Sequence, residues 1–169
     1  MLFQVGEKVV YPNHGVGVIE NVSSRSFGAR DERFYLLRLT CRSLTVVVPV
    51  SHVVDLGLRK VTRNGEIDKV LYFLANTACK LHSCWKDRFK ENSDKMQSGG
   101  LLQIAEVLKS LLVLQIAKPL SFRERKMLDR ARHMLISEIA ISRSIPAPEV
   151  AQMLQNALAK ASLALPASL

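Results

Sequence analysis

The chain has 169 residues, of which 48% are hydrophobic and 23% charged, and its formal net charge is +9. This length and composition are typical of a folded soluble protein with one medium domain or two small ones, and they argue against disorder of the whole chain. Because no stretch approaches the roughly 20 apolar residues of a membrane helix and residues 1–7 lack the pattern of a secretory signal, we expect a cytoplasmic protein that does not enter a membrane.

The first part of the chain predicts β-structure. Four segments have the length and residue types of strands, and they are Lys8–Pro12, Val16–Val22, Phe34–Leu39 and Leu44–Val50. A turn at Pro12–Gly15 separates the first two segments, and a charged loop at Arg30–Arg33 precedes the third. Four or five short strands within about 60 residues predict a small curled β-barrel.

The second part of the chain predicts helices. Asn64 can cap a helix that continues to Leu74, and a basic stretch follows from Trp85 to Lys95. Apolar residues share one face of a further helix over Leu101–Ile116, which Pro119 closes.

A capping box then opens a long helix. In Ser121–Glu124 the serine can accept a hydrogen bond from the backbone N–H three residues on, and the glutamate can reach back. Apolar residues share one face of this helix, and they are Leu128, Ala131, Leu135 and Ile139. Arg123, Lys126 and Arg130 repeat at helical spacing on another face, and Pro148 starts a last amphipathic helix.

These patterns indicate an α+β protein with two domains, a β domain over residues 1–57 and an all-α domain over residues 58–169. Residues 1–58 contain six Lys/Arg and five Asp/Glu, a net charge of +1, whereas residues 59–169 contain 18 and 10, a net charge of +8. The excess positive charge predicts an anionic partner for the second domain.

The one tryptophan, Trp85, is set among the cations Lys86, Arg88 and Lys90. A core position favours apolar neighbours, whereas an apolar wedge beside basic residues is how proteins pry apart nucleic-acid base steps. The alternative is that Trp85 packs into a helical core, as tryptophan usually does, and that its charged neighbours are solvated. The basic face of the long helix has a similar alternative as ordinary solvent cover.

Neither a metal site nor an enzyme is predicted. Cys79, His82 and Cys84 form a short Cys/His cluster, but a closed zinc site needs four ligands and no second pair lies nearby. With Cys41 the cysteines number three, which favours free thiols in a reducing compartment. Phosphate-binding glycine loops and zinc-hydrolase motifs do not occur. The histidines have no catalytic partner at a recognisable spacing, and they are His14, His52, His82 and His133. We expect no cofactor.

Three groups of residues resemble the CarD/CdnL family of bacterial transcription regulators. The first is the opening segment Phe3–Gly17. The second comprises Trp85–Lys90, Asn92, Lys95 and Ser98-Gly99. The third comprises Ala105–Val107, Leu120-Ser121, Glu124–Leu128 and Ala131-Arg132. They occur in family order and at family-like spacing to about residue 143.

The resemblance implies a Tudor/SH3-like N-terminal domain that binds the β subunit of bacterial RNA polymerase, partly by strand pairing. Arg25 matches the family's basic contact position, with Phe27 beside it. Val47 occupies the other position, which is basic in the family, so one ion pair with the polymerase is missing. We expect a monomer.

The resemblance also implies a helical domain that contacts promoter DNA, with Trp85 as a wedge at the upstream edge of the transcription bubble. The implied DNA contacts are Lys86, Arg88, Lys90, Arg125 and Lys126. Asp87 departs from a position that is often basic in relatives, and Gly100 from one that is commonly acidic. Asp87 should repel phosphate.

The leading hypothesis is therefore a non-enzymatic, nucleoid-associated regulator that stabilises promoter open complexes. One alternative is a stand-alone nucleic-acid-binding protein that acts without sequence preference. Another is a polymerase-independent adaptor whose helical domain binds an acidic protein.

Overall fold

The structure, a computed structural model, describes residues 3–40, 42–81 and 84–167. The chain divides into two compact units, Met1–Val61 and Thr62–Leu169. Within the described residues, no helix has the length and apolar character needed to cross a membrane.

The first unit is a five-stranded antiparallel sheet. Its strands are β1 (Lys8–Tyr11), β2 (Gly15–Phe27), β3 (Arg30–Leu39), β4 (Leu44–Pro49) and β5 (Arg59–Lys60). They are arranged in the order β4-β3-β2-β1-β5, so β4 and β5 occupy the two ends of the order. The predicted boundary at residue 57 falls in the turn that precedes β5, which pairs with β1 through Val9 and Val10.

Alternation along β3 builds the core of this unit. Tyr35, Leu37 and Leu39 are fully buried at every second position, as expected for a strand with one face on the core. The backbone N–H of Phe3 donates to the Tyr35 hydroxyl at 3.2 Å, and the two rings meet edge to face. This contact ties the start of the chain to the sheet and satisfies a buried polar group.

The predicted charged loop at Arg30–Arg33 is wrong, because these residues are the first part of β3. Arg25 lies opposite Glu32 in the β2–β3 ladder, and Ser26 donates from its hydroxyl to Asp31. Gly28 has φ +65° at the first of the two turn residues, a conformation that glycine adopts without strain. The turn is therefore short, and polar cross-strand pairs extend the hairpin beyond the core.

The second unit contains five helices in its described residues. They are α1 (Asn64–Asn76), α2 (Trp85–Ser98), α3 (Leu101–Ala117), α4 (Phe122–Arg143) and α5 (Ala147–Ala159). The core lies where α3 packs on α1, α2 and α4 and where α5 packs on α1 and α4. The apolar faces predicted for α3, α4 and α5 are confirmed, since their aliphatic residues are buried.

The two predicted helix starts have different outcomes. The capping box at Ser121 and Glu124 is confirmed, with both reciprocal hydrogen bonds present. Asn64 is not the cap of α1, because Arg63 occupies that position. The Asn64 side chain instead accepts a hydrogen bond at 2.6 Å from Nε of Arg143 at the end of α4. A long-range contact thus replaces the local one.

The fold class predicted from the sequence is confirmed as α+β, with an antiparallel Tudor-like sheet followed by helices.

Candidate nucleic-acid interface

The Trp85 indole is exposed at the first residue of α2. Of its surface, 58% is accessible, so the alternative that the ring packs into a helical core is wrong. Lys86 Nζ lies 5.9 Å from the ring centroid, at the outer range of a cation–π contact. The ring and its cation are available to a partner that has flat apolar faces and negative charge.

The sequence of α2 sorts its charges between two faces. Arg88, Asn92 and Met96 recur every four residues and are buried, which defines the face toward the core. Lys86 and Lys90 are exposed. Helical spacing therefore decides which cations of the basic stretch face solvent.

Arg88 points inward, which differs from the DNA-facing position that the family resemblance implies. It is only 6% exposed, and its Nη2 lies 3.5 Å from Oε1 of Glu124. A guanidinium on the buried face of α2 reaches a carboxylate of the packed unit rather than solvent. Arg88 thus joins the first turn of α2 to the first turn of α4.

The Glu124 carboxylate carries both the ion pair and the capping box. Its Oε2 accepts from the Ser121 backbone N–H at 2.9 Å, while the Ser121 hydroxyl accepts from the Glu124 backbone N–H at 3.2 Å. Burial by itself would raise the pKa of Glu124. The hydrogen bonds with Ser121 and the neighbouring Arg88 guanidinium outweigh burial and lower this pKa. Glu124 is therefore held ionised by several donors.

The exposed face of α4 is basic close to this junction. Arg125 and Lys126, both predicted site residues, are exposed, as are Arg123 and Arg130. Five of the six predicted DNA-contact residues, all except Arg88, are therefore solvent-exposed, and they are Trp85, Lys86, Lys90, Arg125 and Lys126.

Phe122, at the start of α4, is an exposed aromatic residue that the sequence analysis did not select. Its ring is 64% accessible, and Lys126 Nζ lies 4.6 Å from the ring centroid. The sequence signal was the aromatic residue directly after the capping serine, with a lysine four residues later on the same face.

Two further lysines of this unit make contacts that connect its own helices. Lys95 lies 3.1 Å from Glu91 and 3.0 Å from Glu106, which links α2 to α3. Lys109 is buried and donates to the carbonyl oxygens of Phe73 and Thr77, so it satisfies the end of α1. Burial lowers the pKa of Lys109.

A cavity of about 250 Å³ lies beside α2 and is lined by Cys79, Lys95 and Glu106, among others. Burial, with smaller effects of nearby charges, raises the pKa of the Cys79 thiol. Cys79 and Cys84 are free thiols, whereas Cys41 and His82 lie outside the described residues. Among the residues that the structure does describe, no group of three or more His, Cys, Asp or Glu side chains could hold a metal ion.

The predicted polymerase-contact residues lie at the surface of the first unit. Arg25 is exposed near the end of the β2–β3 hairpin. Phe27, on the same strand, is more than half exposed and contacts Phe34 edge to face at 6.3 Å between centroids. Val47 is also more than half exposed, in β4 at one end of the strand order.

Comparison with known proteins identifies both units. A family model described as CarD-like/TRCF RID domain matches residues 3–62, and one described as CarD, C-terminal domain matches residues 69–155. The Bacillus subtilis (strain 168) protein named "Putative transcription factor YdeB" is 31% identical over 149 residues, which are 88% of this chain and 97% of that protein.

Proposed function

Because the chain belongs to the CarD family of transcription regulators, we propose that it binds the β subunit of RNA polymerase and stabilises promoter open complexes. The observation that carries the proposal is the exposed Trp85 ring, which stands among cations at the start of α2. An exposed indole beside cations suits contact with distorted DNA.

The first unit supplies the attachment to polymerase. Strand β4 lies at an end of the strand order, where an additional strand from a partner can pair by backbone hydrogen bonds. Arg25 and the exposed Phe27 ring add one charged and one apolar contact on the β2–β3 hairpin. Val47 on β4 offers an apolar surface where relatives have a cation, so the attachment depends more on Arg25.

The second unit supplies a weak and sequence-independent grip on DNA. Lys86, Lys90, Arg125 and Lys126 are exposed and can each contact a phosphate. Phosphate contacts fix the position of a protein on DNA without reading its sequence. Attachment to polymerase raises the effective concentration of promoter DNA, so this grip does not need high affinity.

Trp85 then acts as a wedge in the minor groove at the upstream edge of the bubble. The ring contacts an unstacked base step, which exists only when the duplex is opened. A contact that is about 1.4 kcal/mol more favourable in the open state shifts the opening equilibrium about tenfold. The mechanism is a shift in population, and it requires no covalent chemistry.

Arg88 contributes by positioning the wedge. Its ion pair with Glu124 anchors the first turn of α2, three residues after Trp85. The contact is made by one Nη of Arg88 at 3.5 Å, and the planar guanidinium that carries it is stiffer than a flexible ammonium. The role that the resemblance assigns to Arg88 is thus taken over by the exposed lysines beside it.

Replacement of Trp85 by alanine tests the proposal. We expect Trp85→Ala to bind polymerase normally and to shorten the lifetime of a promoter open complex about tenfold, because only the wedge is lost. Ile116→Ala is the matched control, since Ile116 is a large exposed apolar residue at the end of α3, 73% accessible. An unchanged lifetime in Trp85→Ala would remove the wedge from the mechanism.

Polymerase dependence separates the alternatives. The proposed function predicts feeble DNA binding at physiological salt until polymerase is present. Tight binding of the protein alone to duplex DNA, with a steep salt dependence, would instead support a stand-alone nucleic-acid-binding protein. An adaptor for an acidic protein would leave promoter DNA without a footprint.

A further inference from the structure

We propose that Phe122, together with Lys126, forms a second base-stacking contact that binds the unpaired strand of melted DNA. The inference rests on the proposed function, because it places this contact at the surface that also holds Trp85. It adds a ligand class to that surface, single-stranded DNA, and a residue that the Trp85 wedge does not require.

The Phe122 ring combines exposure with a nearby positive charge. Several large apolar side chains are exposed in the described residues, but cation–π contacts at exposed rings are found there at Trp85 and Phe122 alone. The remaining cation–π contact of the described residues, Lys109 with Phe73, involves a buried lysine that serves a helix end. A ring with a lysine above it presents a flat apolar face and a positive charge together, which suits a nucleobase and its phosphate.

The location of Phe122 also supports a shared strand contact with Trp85. Arg88 and Glu124 form an ion pair at 3.5 Å between Nη2 and Oε1, and this pair connects the first turns of α2 and α4. Trp85 lies three residues before Arg88, and Phe122 lies two residues before Glu124. Both exposed rings therefore belong to the same end of the helical unit, where a strand that leaves the duplex beside one ring can reach the other.

The charges along α4 complement the phosphates of a nucleic-acid strand. Phe122, Lys126 and Arg130 follow one another at intervals of four residues, so they form one row on the helix surface. Both cations are exposed, and Arg123 and Arg125 flank the row. A flexible single strand can stack a base on the ring while its phosphates follow the cations. A paired base within a duplex cannot present its face in this way.

A forked DNA provides the test, with the full-length protein at low salt, where sequence-independent binding is strongest. The fork carries a fluorescent base analogue, 2-aminopurine, in the unpaired strand next to the junction. A fully paired duplex of the same length is the reference. We expect Phe122→Ala to bind the fork about tenfold more weakly, to lose the quenching of the analogue, and to bind the duplex nearly as well as wild type.

Two variants control for folding and for surface chemistry. Phe122→Tyr keeps the ring and should retain fork binding and quenching. Ile116→Ala removes an exposed apolar residue from the end of α3 and should change neither. The stacking role is overturned if Phe122→Ala binds the fork as tightly as wild type does. It is also overturned if the variant loses affinity equally for fork and duplex while its thermal unfolding is unchanged.

The outcome separates this inference from the Trp85 wedge. Loss of fork binding in Phe122→Ala with a normal open-complex lifetime in Trp85→Ala would retain the strand contact and reject the wedge. A shortened lifetime in Trp85→Ala with unchanged fork binding in Phe122→Ala would retain the wedge and reject the strand contact. If an acidic polypeptide such as polyglutamate displaces the fork only from wild type and not from Phe122→Ala, the surface fits a protein partner and the inference is wrong.

Discussion

Asp87 is a carboxylate beside the exposed cations of α2, directly after Lys86 in the sequence. It is exposed in the first turn of α2, where a negative charge favours the helix because the backbone N–H groups there are unpaired. The same charge repels a phosphate that approaches Trp85. In the proposed complex, Asp87 therefore stabilises the helix start and weakens the contact with DNA.

Removal of the Asp87 charge tests whether this carboxylate weakens DNA binding and stabilises the start of α2. We expect Asp87→Asn to bind DNA about 2- to 5-fold more tightly in the presence of polymerase, since one like charge is removed from the interface. The thermal unfolding temperature should fall slightly. Asp55→Asn makes the same change in net charge in the first unit and should leave DNA affinity unchanged. Equal affinities of Asp87→Asn and wild type would place the DNA away from this turn.

Exposure at single positions could be predicted only in part. The setting of Trp85 among cations favoured an exposed ring, and the structure agrees. Arg88 shares the same basic stretch but is buried, because its position on α2 faces the core. Composition alone does not distinguish these two cases, and the face of α2 that holds Arg88, Asn92 and Met96 is buried only because of how the helices pack.

The junction between α2 and α4 depends on one carboxylate. Glu124 closes the capping box and pairs with Arg88, and donors on two elements lower its pKa below the ordinary value of 4.5. A group with a lowered folded-state pKa contributes stability above its unfolded pKa, and this contribution is lost as the pH falls through the folded value.

The expected result is a pH-dependent gap in stability between wild type and Glu124→Gln. At neutral pH the variant should unfold more easily, because it lacks the ion pair and a charged cap. The gap should narrow as the pH falls below about 4.5, because the unfolded chain then becomes protonated at Glu124 while the folded carboxylate stays ionised to a lower pH. Denaturant unfolding at a series of pH values measures this gap. Glu149→Gln, in the exposed first turn of α5, should give a smaller difference at neutral pH. A gap that is constant with pH would show that the charge of Glu124 does not matter.

Elements with a strong apolar period were predicted well from the sequence. The helices α4 and α5 follow the expected faces because burial of one stripe dominates their energetics, whereas α3 is buried around most of its circumference, since it packs on α1, α2 and α4. The β2–β3 hairpin was shortened in the prediction, because the charged run Arg30–Arg33 resembles a loop. In the structure these four residues belong to β3, because they pair with β2 across the short turn at Gly28.

The two units of the molecule carry unequal charge. Strand β5 brings Arg59 and Lys60 into the first unit, so residues 1–61 hold eight Lys/Arg and five Asp/Glu, a net charge of +3. Residues 62–169 hold 16 and 10, a net charge of +6. For their lengths the two units are almost equally basic, so the proposed division of labour, in which the helical unit meets DNA and the sheet meets polymerase, rests on the exposed residues around Trp85 rather than on net charge.

Reversal of one charge on the sheet tests this division. We expect Arg25→Glu to weaken capture of the polymerase β subunit about tenfold or more, since Val47 cannot compensate for the lost cation. Low-salt DNA binding by the free protein should not change. Arg42→Glu makes the same charge change at an exposed turn of the same unit and should retain capture. Full capture by Arg25→Glu would mean that polymerase binds elsewhere.

The sequence by itself determined the α+β class, the capping box, the apolar faces of the helices and the family to which the chain belongs. These follow from short-range periods and from motifs that a linear pattern contains. Only the tertiary structure decided that Arg88 turns inward to Glu124, that Asn64 bonds to Arg143 rather than capping α1, and that Phe122 stands exposed near the Trp85 end of the unit. Each of these features depends on residues that are tens of positions apart in the sequence. Such residues come close in space only when the helices pack.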